Sequence, residues 1–120
     1  MATLEKLRKA VTDVLEELAA YFSQASGPGL QFEIECVFDT ARDHYQIVDM
    51  GWRGEERLFN TVIHVDIKRG DKNSGKVWIQ YNATEFSIAE LLLERGLQKF
   101  DIVLGLQPPY KRPYTGYASE

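Results

Sequence analysis

Four consecutive stretches of this sequence alternate apolar and polar residues, and short polar connections separate them. In the first stretch, an apolar residue recurs at every second position from Phe32 to Phe38. Period-two alternation predicts strands with one buried face. Because the connections are short, consecutive strands are expected to pair antiparallel, which gives a four-stranded meander. The predicted strands are Leu30–Asp39, His44–Trp52, Arg57–Lys68 and Lys76–Tyr81.

One helix is predicted before this meander in the sequence and one after it. In the first, Thr3–Gln24, apolar residues recur at three- and four-residue steps, and Thr3 is the expected N-cap. The second begins after Ser87, which has capping-box spacing to Glu90, and ends near Gly96, a typical left-handed C-cap.

The C-terminal segment, residues 107–117, holds three prolines and three tyrosines. Prolines remove backbone donors, so we predict an irregular arm with its tyrosines packed back on the domain. The stretch Ile102–Leu104 is predicted as a short helical or extended piece. Residues 1–120 therefore form a single α+β domain: N-terminal helix, four-stranded antiparallel meander, second helix and irregular C-terminal arm.

Composition narrows the function classes. The net charge of −4 and a pI near 5.2 do not favour a protein that holds duplex DNA by itself. The single cysteine, Cys36, excludes an intrachain disulfide and a cysteine-built zinc site, and its phase predicts a small buried hydrophobe. There is no signal-peptide pattern and no apolar run of ~18 residues, so a cytoplasmic location is expected, without membrane contact.

The third strand carries the most suggestive polar face. His64, Asp66 and Lys68 share one phase, whereas Ile63, Val65 and Ile67 share the other. Such a face could bind a metal or phosphate. With Asp39 it loosely resembles the acid…acid-x-Lys arrangement of metal-dependent nucleases, in which both carboxylates hold Mg²⁺. The alternative is a solvent-facing strand with cross-strand ion pairs.

We favour that alternative and expect these polar groups to stay dispersed. The sequence accordingly predicts no catalytic residue, no metal site and no cofactor.

The turn after the first strand and the arm offer further polar groups. Asp39 or Thr40 could bond backbone amides in the turn while Arg42 and Asp43 pair, or the turn could recognise a partner. Lys111 and Arg112 lie among tyrosines, a mixture found in nucleic-acid sites, but two charges do not carry that function.

The order of several motifs resembles the XisI family, the fdxN element excision controlling factors, over nearly the whole chain. The motifs are Phe38-Asp39-Thr40-x-Arg42-Asp43-His44-Tyr45-Gln46, Gly51-Trp52, His64-x-Asp66-Ile67-Lys68, Lys76-x-Trp78-Ile79-Gln80, Thr84-Glu85, Asp101-Ile102-Val103-Leu104-Gly105 and Lys111-Arg112-x-Tyr114-Thr115.

The resemblance implies a cyanobacterial accessory protein that is not an enzyme. Family members are named for excision of the fdxN element in heterocysts, a site-specific DNA recombination in which they work beside a recombinase and a second factor, XisH. The expected function is therefore regulation of excision through protein–protein contacts with a XisH-type partner. The alternatives are a direct DNA-binding accessory factor and, less favoured, a metal-dependent nuclease.

The predicted partner contacts combine the third strand, the turn and the arm. Homodimerisation through the first helix or an edge strand is a further expectation. The predicted contact residues are Arg42, Asp43, His64, Asp66, Lys68, Lys111 and Arg112.

Overall fold

A computed structural model describes residues 2–24 and 30–120, with the side chain of Leu30 left out. In this part of the chain, neither α-helix has the length and apolarity that a membrane crossing requires. The α-helices are α1 (Leu4–Phe22) and α2 (Ile88–Glu94), and the strands are β1 (Leu30–Asp39), β2 (His44–Arg53), β3 (Glu56–Arg69), β4 (Gly75–Asn82) and β5 (Ile102–Val103).

Helix α1 covers one face of the sheet. The Thr3 side chain caps it by accepting a hydrogen bond from the Lys6 amide at 3.2 Å, as predicted. The helix and the inward phase of the strands form one core cluster. Cys36 is half-buried in this layer with its Sγ 3.9 Å from the Leu15 carbonyl oxygen, and burial raises the pKa of its thiol. It packs against the core as predicted, but it is half-buried and not fully buried.

The sheet has five strands in the order β1-β2-β3-β4-β5, not four. The four predicted strands form the antiparallel meander within one or two residues of their expected bounds. The fifth strand pairs parallel to β4, with Val77 opposite Ile102 and Trp78 opposite Val103. Helix α2 supplies the crossover connection that a parallel pair needs. A two-residue strand is too short to show alternation, so the sequence predicted only a short helical or extended piece here and no strand pairing.

Helix α2 begins and ends as its sequence signals indicate. The Ser87 hydroxyl accepts a hydrogen bond from the Glu90 amide at 3.2 Å. Gly96 has a φ of +93°, the left-handed conformation that glycine adopts without a steric penalty.

The arm is irregular, as predicted, apart from a 3₁₀ turn at Arg112–Tyr114 and an isolated bridge between Val103 and Ala118. The prediction for its tyrosines is wrong in two of three cases. Tyr110 and Tyr114 are 71% and 89% exposed, and only Tyr117 packs against the core. Both tyrosines lie in turns at the surface of the arm, so their rings face solvent and not the core.

Asp43 is fully buried although it lies in the turn between β1 and β2. Its carboxylate accepts hydrogen bonds from Arg8 Nε of α1 at 2.8 Å and Arg69 Nε of β3 at 2.9 Å. Arg8 Nη2 donates a third bond at 3.1 Å, and the Tyr45 hydroxyl donates a fourth at 2.7 Å. Burial alone would raise the pKa of Asp43, but these bonds outweigh it and lower the pKa to about 2. One carboxylate thus ties the helix to two strands.

We predict that Asp43→Asn lowers the free energy of unfolding by about 2–4 kcal/mol, because two guanidinium groups lose their counter-charge. Urea denaturation measures this change. Arg42→Gln is the matched control in the same turn, since Arg42 is 77% exposed and pairs only with Asp39 in the described chain. Its expected effect is below about 0.5 kcal/mol. Equal effects of the two substitutions would contradict the structural role of Asp43.

The comparison of wild type with Asp43→Asn also gives a prediction about the pH dependence of stability. Because the folded-state pKa of Asp43 is depressed from 3.8 to about 2, its ionised form stabilises the fold above pH 3.8, and this contribution is lost as the pH falls through about 2. The stability difference between wild type and Asp43→Asn should shrink by about 2 kcal/mol across that window. A pH-independent difference in urea titrations would refute the assignment.

Candidate functional site

The face of the sheet opposite α1 carries a polar cluster, defined here as His44, Gln46, His64, Asp66 and Gln80. Side chains alternate along a strand, so the residues between these positions, such as Tyr45 and Val65, point into the core. The cluster therefore rests on the central strands β2, β3 and β4, each of which is hydrogen-bonded to a neighbouring strand on both sides.

Asp66 is the centre of the cluster. Its Oδ1 lies 2.7 Å from His44 Nδ1 and 2.8 Å from His64 Nε2, and its Oδ2 accepts a hydrogen bond from Gln80 Nε2 at 3.2 Å. On the far side of the His64 ring, Nδ1 lies 2.8 Å from Gln46 Nε2. Each group is thus held by a neighbour, which fixes the side chains of the cluster relative to one another.

This arrangement assigns the imidazole protons when both rings are neutral. His64 donates from Nε2 to Asp66, so its Nδ1 is the acceptor for the Gln46 amide. His44 donates from Nδ1 to the same carboxylate oxygen. Burial alone would raise the pKa of Asp66, but the bonds from His44, His64 and Gln80 outweigh it and lower the pKa. Asp66 is therefore a carboxylate at neutral pH.

Two β-bulges bring these residues together. Val48 pairs with Thr61 but Ile47 pairs with Ile63, so Val62 is an extra residue in β3. This shift places Asp66 opposite His44. In β4, Gln80 is the extra residue between the partners of His64 and Val65. Bulges re-aim side chains and are common beside functional sites.

The C-terminal arm packs against the edge of the cluster. Arg112 donates to the carbonyl oxygens of Gln107 and Gly105, at 3.0 and 3.2 Å, and its guanidinium lies 5.1 Å from the centre of the Trp78 ring. Lys68 Nζ lies over the same ring at 3.7 Å. Cation–π attraction therefore holds both basic groups at the indole.

Exposed aromatic rings lie on the other side of the cluster. Gln46 and His64 line a shallow depression together with Phe59 and Tyr81, which are 63% and 49% exposed. Aromatic rings beside a fixed polar group are typical of protein interfaces.

The structure brings together some of the predicted contact residues and separates others. His64, Asp66 and Lys68 lie on the face of the sheet opposite α1, which we call the open face. Arg42 is exposed in the turn and Lys111 in the arm. Asp43 is buried in its ion cluster, so its carboxylate is unavailable to a partner.

The alternative turn chemistry is confirmed for Asp39, whose Oδ1 accepts from the amides of Ala41 and Arg42 at 3.0 and 2.9 Å. The expected pairing of Arg42 with Asp43 is wrong, because Arg42 pairs with Asp39 instead.

The expectation that the polar groups stay dispersed is also wrong for His64 and Asp66, which converge with His44. Ligand-type atoms of His44, His64 and Asp66 lie within 4.8 Å of one another, and Asp39 is not part of this cluster in the described chain. Sequence analysis missed His44, Gln46 and Gln80. The alternation of β2 places the first two on the open face, but their distance from Asp66 depends on the bulges.

The chain is similar to proteins of one family. The family model for the XisI protein matches residues 1–119. A crystal structure of a XisI-like protein from Anabaena variabilis ATCC 29413 is 40% identical, with a TM-score of 0.81 over 96% of this chain and 97% of that chain.

A second crystal structure, of the fdxN element excision controlling factor XisI from the same organism, is 26% identical. Its TM-score is 0.76 over 98% of both chains. No curated protein matches the chain.

We predict that Gly105→Ala disturbs the arm and the cluster together. An added Cβ would collide with Gln80 Oε1 and lie 3.1 Å from Trp78 Cε3, so the free energy of unfolding should fall by about 1–3 kcal/mol. Gly70→Ala is the control, because its Cβ would meet only the Ser74 hydroxyl at 3.2 Å. Its effect, measured by the same urea denaturation, should stay below about 0.5 kcal/mol. An equal loss in both variants would contradict the close packing of the arm.

Proposed function

Because the chain belongs to the XisI family, we propose that it is a non-catalytic accessory factor in the control of site-specific DNA excision. In this proposal it acts through protein–protein contacts, with a XisH-type protein as its partner. The open face of the sheet is the contact surface.

The observation that supports this proposal most strongly is the composition of that face. It combines a cluster of mutually hydrogen-bonded polar side chains with the exposed rings of Phe59 and Tyr81. Side chains that are already fixed lose little conformational entropy on binding, so such a surface is preorganised for recognition. The rings supply apolar area that a partner can cover.

The charge of the chain favours a protein partner. A net charge of −4 repels a nucleic-acid backbone at long range. The basic groups on this side are few, and Lys68 and Arg112 both lie over the Trp78 ring. They can meet individual carboxylates of a partner, but they do not form an extended basic stripe. Direct contact with DNA is therefore an outcome to be tested, not the favoured function.

Co-expression with a XisH-type protein tests the proposal. We expect the two proteins to co-purify, because the partner would cover the open face. We further expect Lys68→Glu to weaken the complex at least about tenfold, equivalent to about 1.4 kcal/mol, since it reverses a charge beside Asp66. Biolayer interferometry with the purified proteins measures the affinity.

Lys72→Glu is the matched control, because Lys72 is exposed in the turn between β3 and β4, away from the cluster. Its affinity should equal that of the wild type within about twofold. Absence of a complex, or equal loss in both variants, would count against the proposal. A gel shift with duplex DNA that weakens steeply with salt would favour the DNA-binding alternative instead.

A further inference from the structure

The chain contains two histidines among 120 residues, and both belong to the polar cluster. They come from different strands, His44 at the first position of β2 and His64 within β3. Both direct a ring nitrogen at the same oxygen of Asp66. Two imidazole nitrogens and one carboxylate oxygen form a ligand set that binds divalent transition metals.

We propose that His44 Nδ1, His64 Nε2 and Asp66 Oδ1 form a binding site for a divalent transition-metal ion of the Zn²⁺ type. The inference depends on the geometry of the cluster and is independent of the proposed partner. It assigns no catalytic step to the ion.

The three ligand atoms are slightly closer together than they would be around a Zn²⁺ ion. Ligand atoms about 2.0–2.1 Å from a tetrahedral Zn²⁺ lie about 3.3 Å from one another. The two nitrogen–oxygen distances are 2.7 and 2.8 Å. Each nitrogen–oxygen pair therefore needs to separate by only about 0.5 Å, and the ligand atoms of the three residues all lie within 4.8 Å of one another.

The groups behind the ligands provide the support that metal sites require. Gln80 holds the second oxygen of Asp66, and Gln46 holds the second nitrogen of His64. Metal binding at His64 Nε2 needs the ring proton on Nδ1. Rotation of the Gln46 amide by half a turn presents its oxygen to that proton, so the change of tautomer leaves no group unpaired. Neutral imidazole is retained, and no proton is released from His64.

Charge and access are also suitable. With neutral rings the ligand set carries one negative charge, from Asp66. The His44 side chain is 55% exposed and opens the cluster to solvent, whereas those of His64 and Asp66 are 26% and 16% exposed. The nearby ammonium of Lys68 is held over the Trp78 ring. Because the His44 side of the cluster is open to solvent, the remaining coordination positions would be filled by water.

Calorimetric titration of the untagged full-length protein with Zn²⁺ tests the proposal. We expect one ion per chain, and an affinity at least about tenfold lower in His44→Ala, His64→Ala and Asp66→Asn. Gln46→Ala should weaken binding about tenfold to a hundredfold through the second nitrogen of His64. Asp71→Asn, in the exposed turn between β3 and β4, is the control and should bind like the wild type.

Nitrogen-15 NMR of the two imidazole rings gives a second readout that needs no substitution. On addition of Zn²⁺, the metal-bound nitrogen should be Nδ1 in His44 and Nε2 in His64, so His64 changes to its Nδ1–H tautomer. Absence of Zn²⁺ binding in molar excess, a response of only one ring, or unchanged affinity in the three ligand variants would overturn the proposal. Circular dichroism of each variant verifies that it is folded.

Discussion

The open face depends on one buried carboxylate on the other side of the sheet. Asp43 is bonded to Arg8, Arg69 and Tyr45, and its own carbonyl oxygen accepts from the Ile67 amide at 3.0 Å. These bonds fix the turn between β1 and β2 against α1 and the end of β3. Because β2 begins at the next residue, the anchor also fixes where that strand starts. It thereby supports the pairing of His44 with Asp66, although it touches neither side chain.

The two bulges determine which side chains meet on the open face. If the pairing of β2 with β3 continued without a bulge from the turn that joins them, Val65 would lie opposite His44. The extra residue Val62 shifts the register by one position, so Asp66 lies there instead. The second extra residue, Gln80, is itself the donor to Asp66. Because of these two bulges, the sheet carries the polar cluster in a fixed arrangement on the face that α1 does not cover. The proposed recognition of a partner and the proposed coordination of an ion both depend on the same fixed geometry.

Much of the fold could be predicted from the sequence, since alternation sets the four long strands and Thr3, Ser87 and Gly96 cap the helices. The fifth strand could not, because two residues show no period. Burial of Asp43 was missed because an acidic turn residue is normally solvated, and its partners lie 35 and 26 positions away. The polar cluster was only half predicted: alternation assigns its face, whereas long-range pairing with bulges sets its distances.

We propose the open face of the sheet as the surface through which this chain binds a partner. The most direct measurement is an amide NMR titration of the isotope-labelled chain with a XisH-type protein. The account predicts that shift changes concentrate at residues 44–46, 64–68, 78–81 and 110–112, with the solvent side of α1 unaffected. Changes confined to α1 and α2, with the polar cluster unperturbed in a saturated complex, would contradict it.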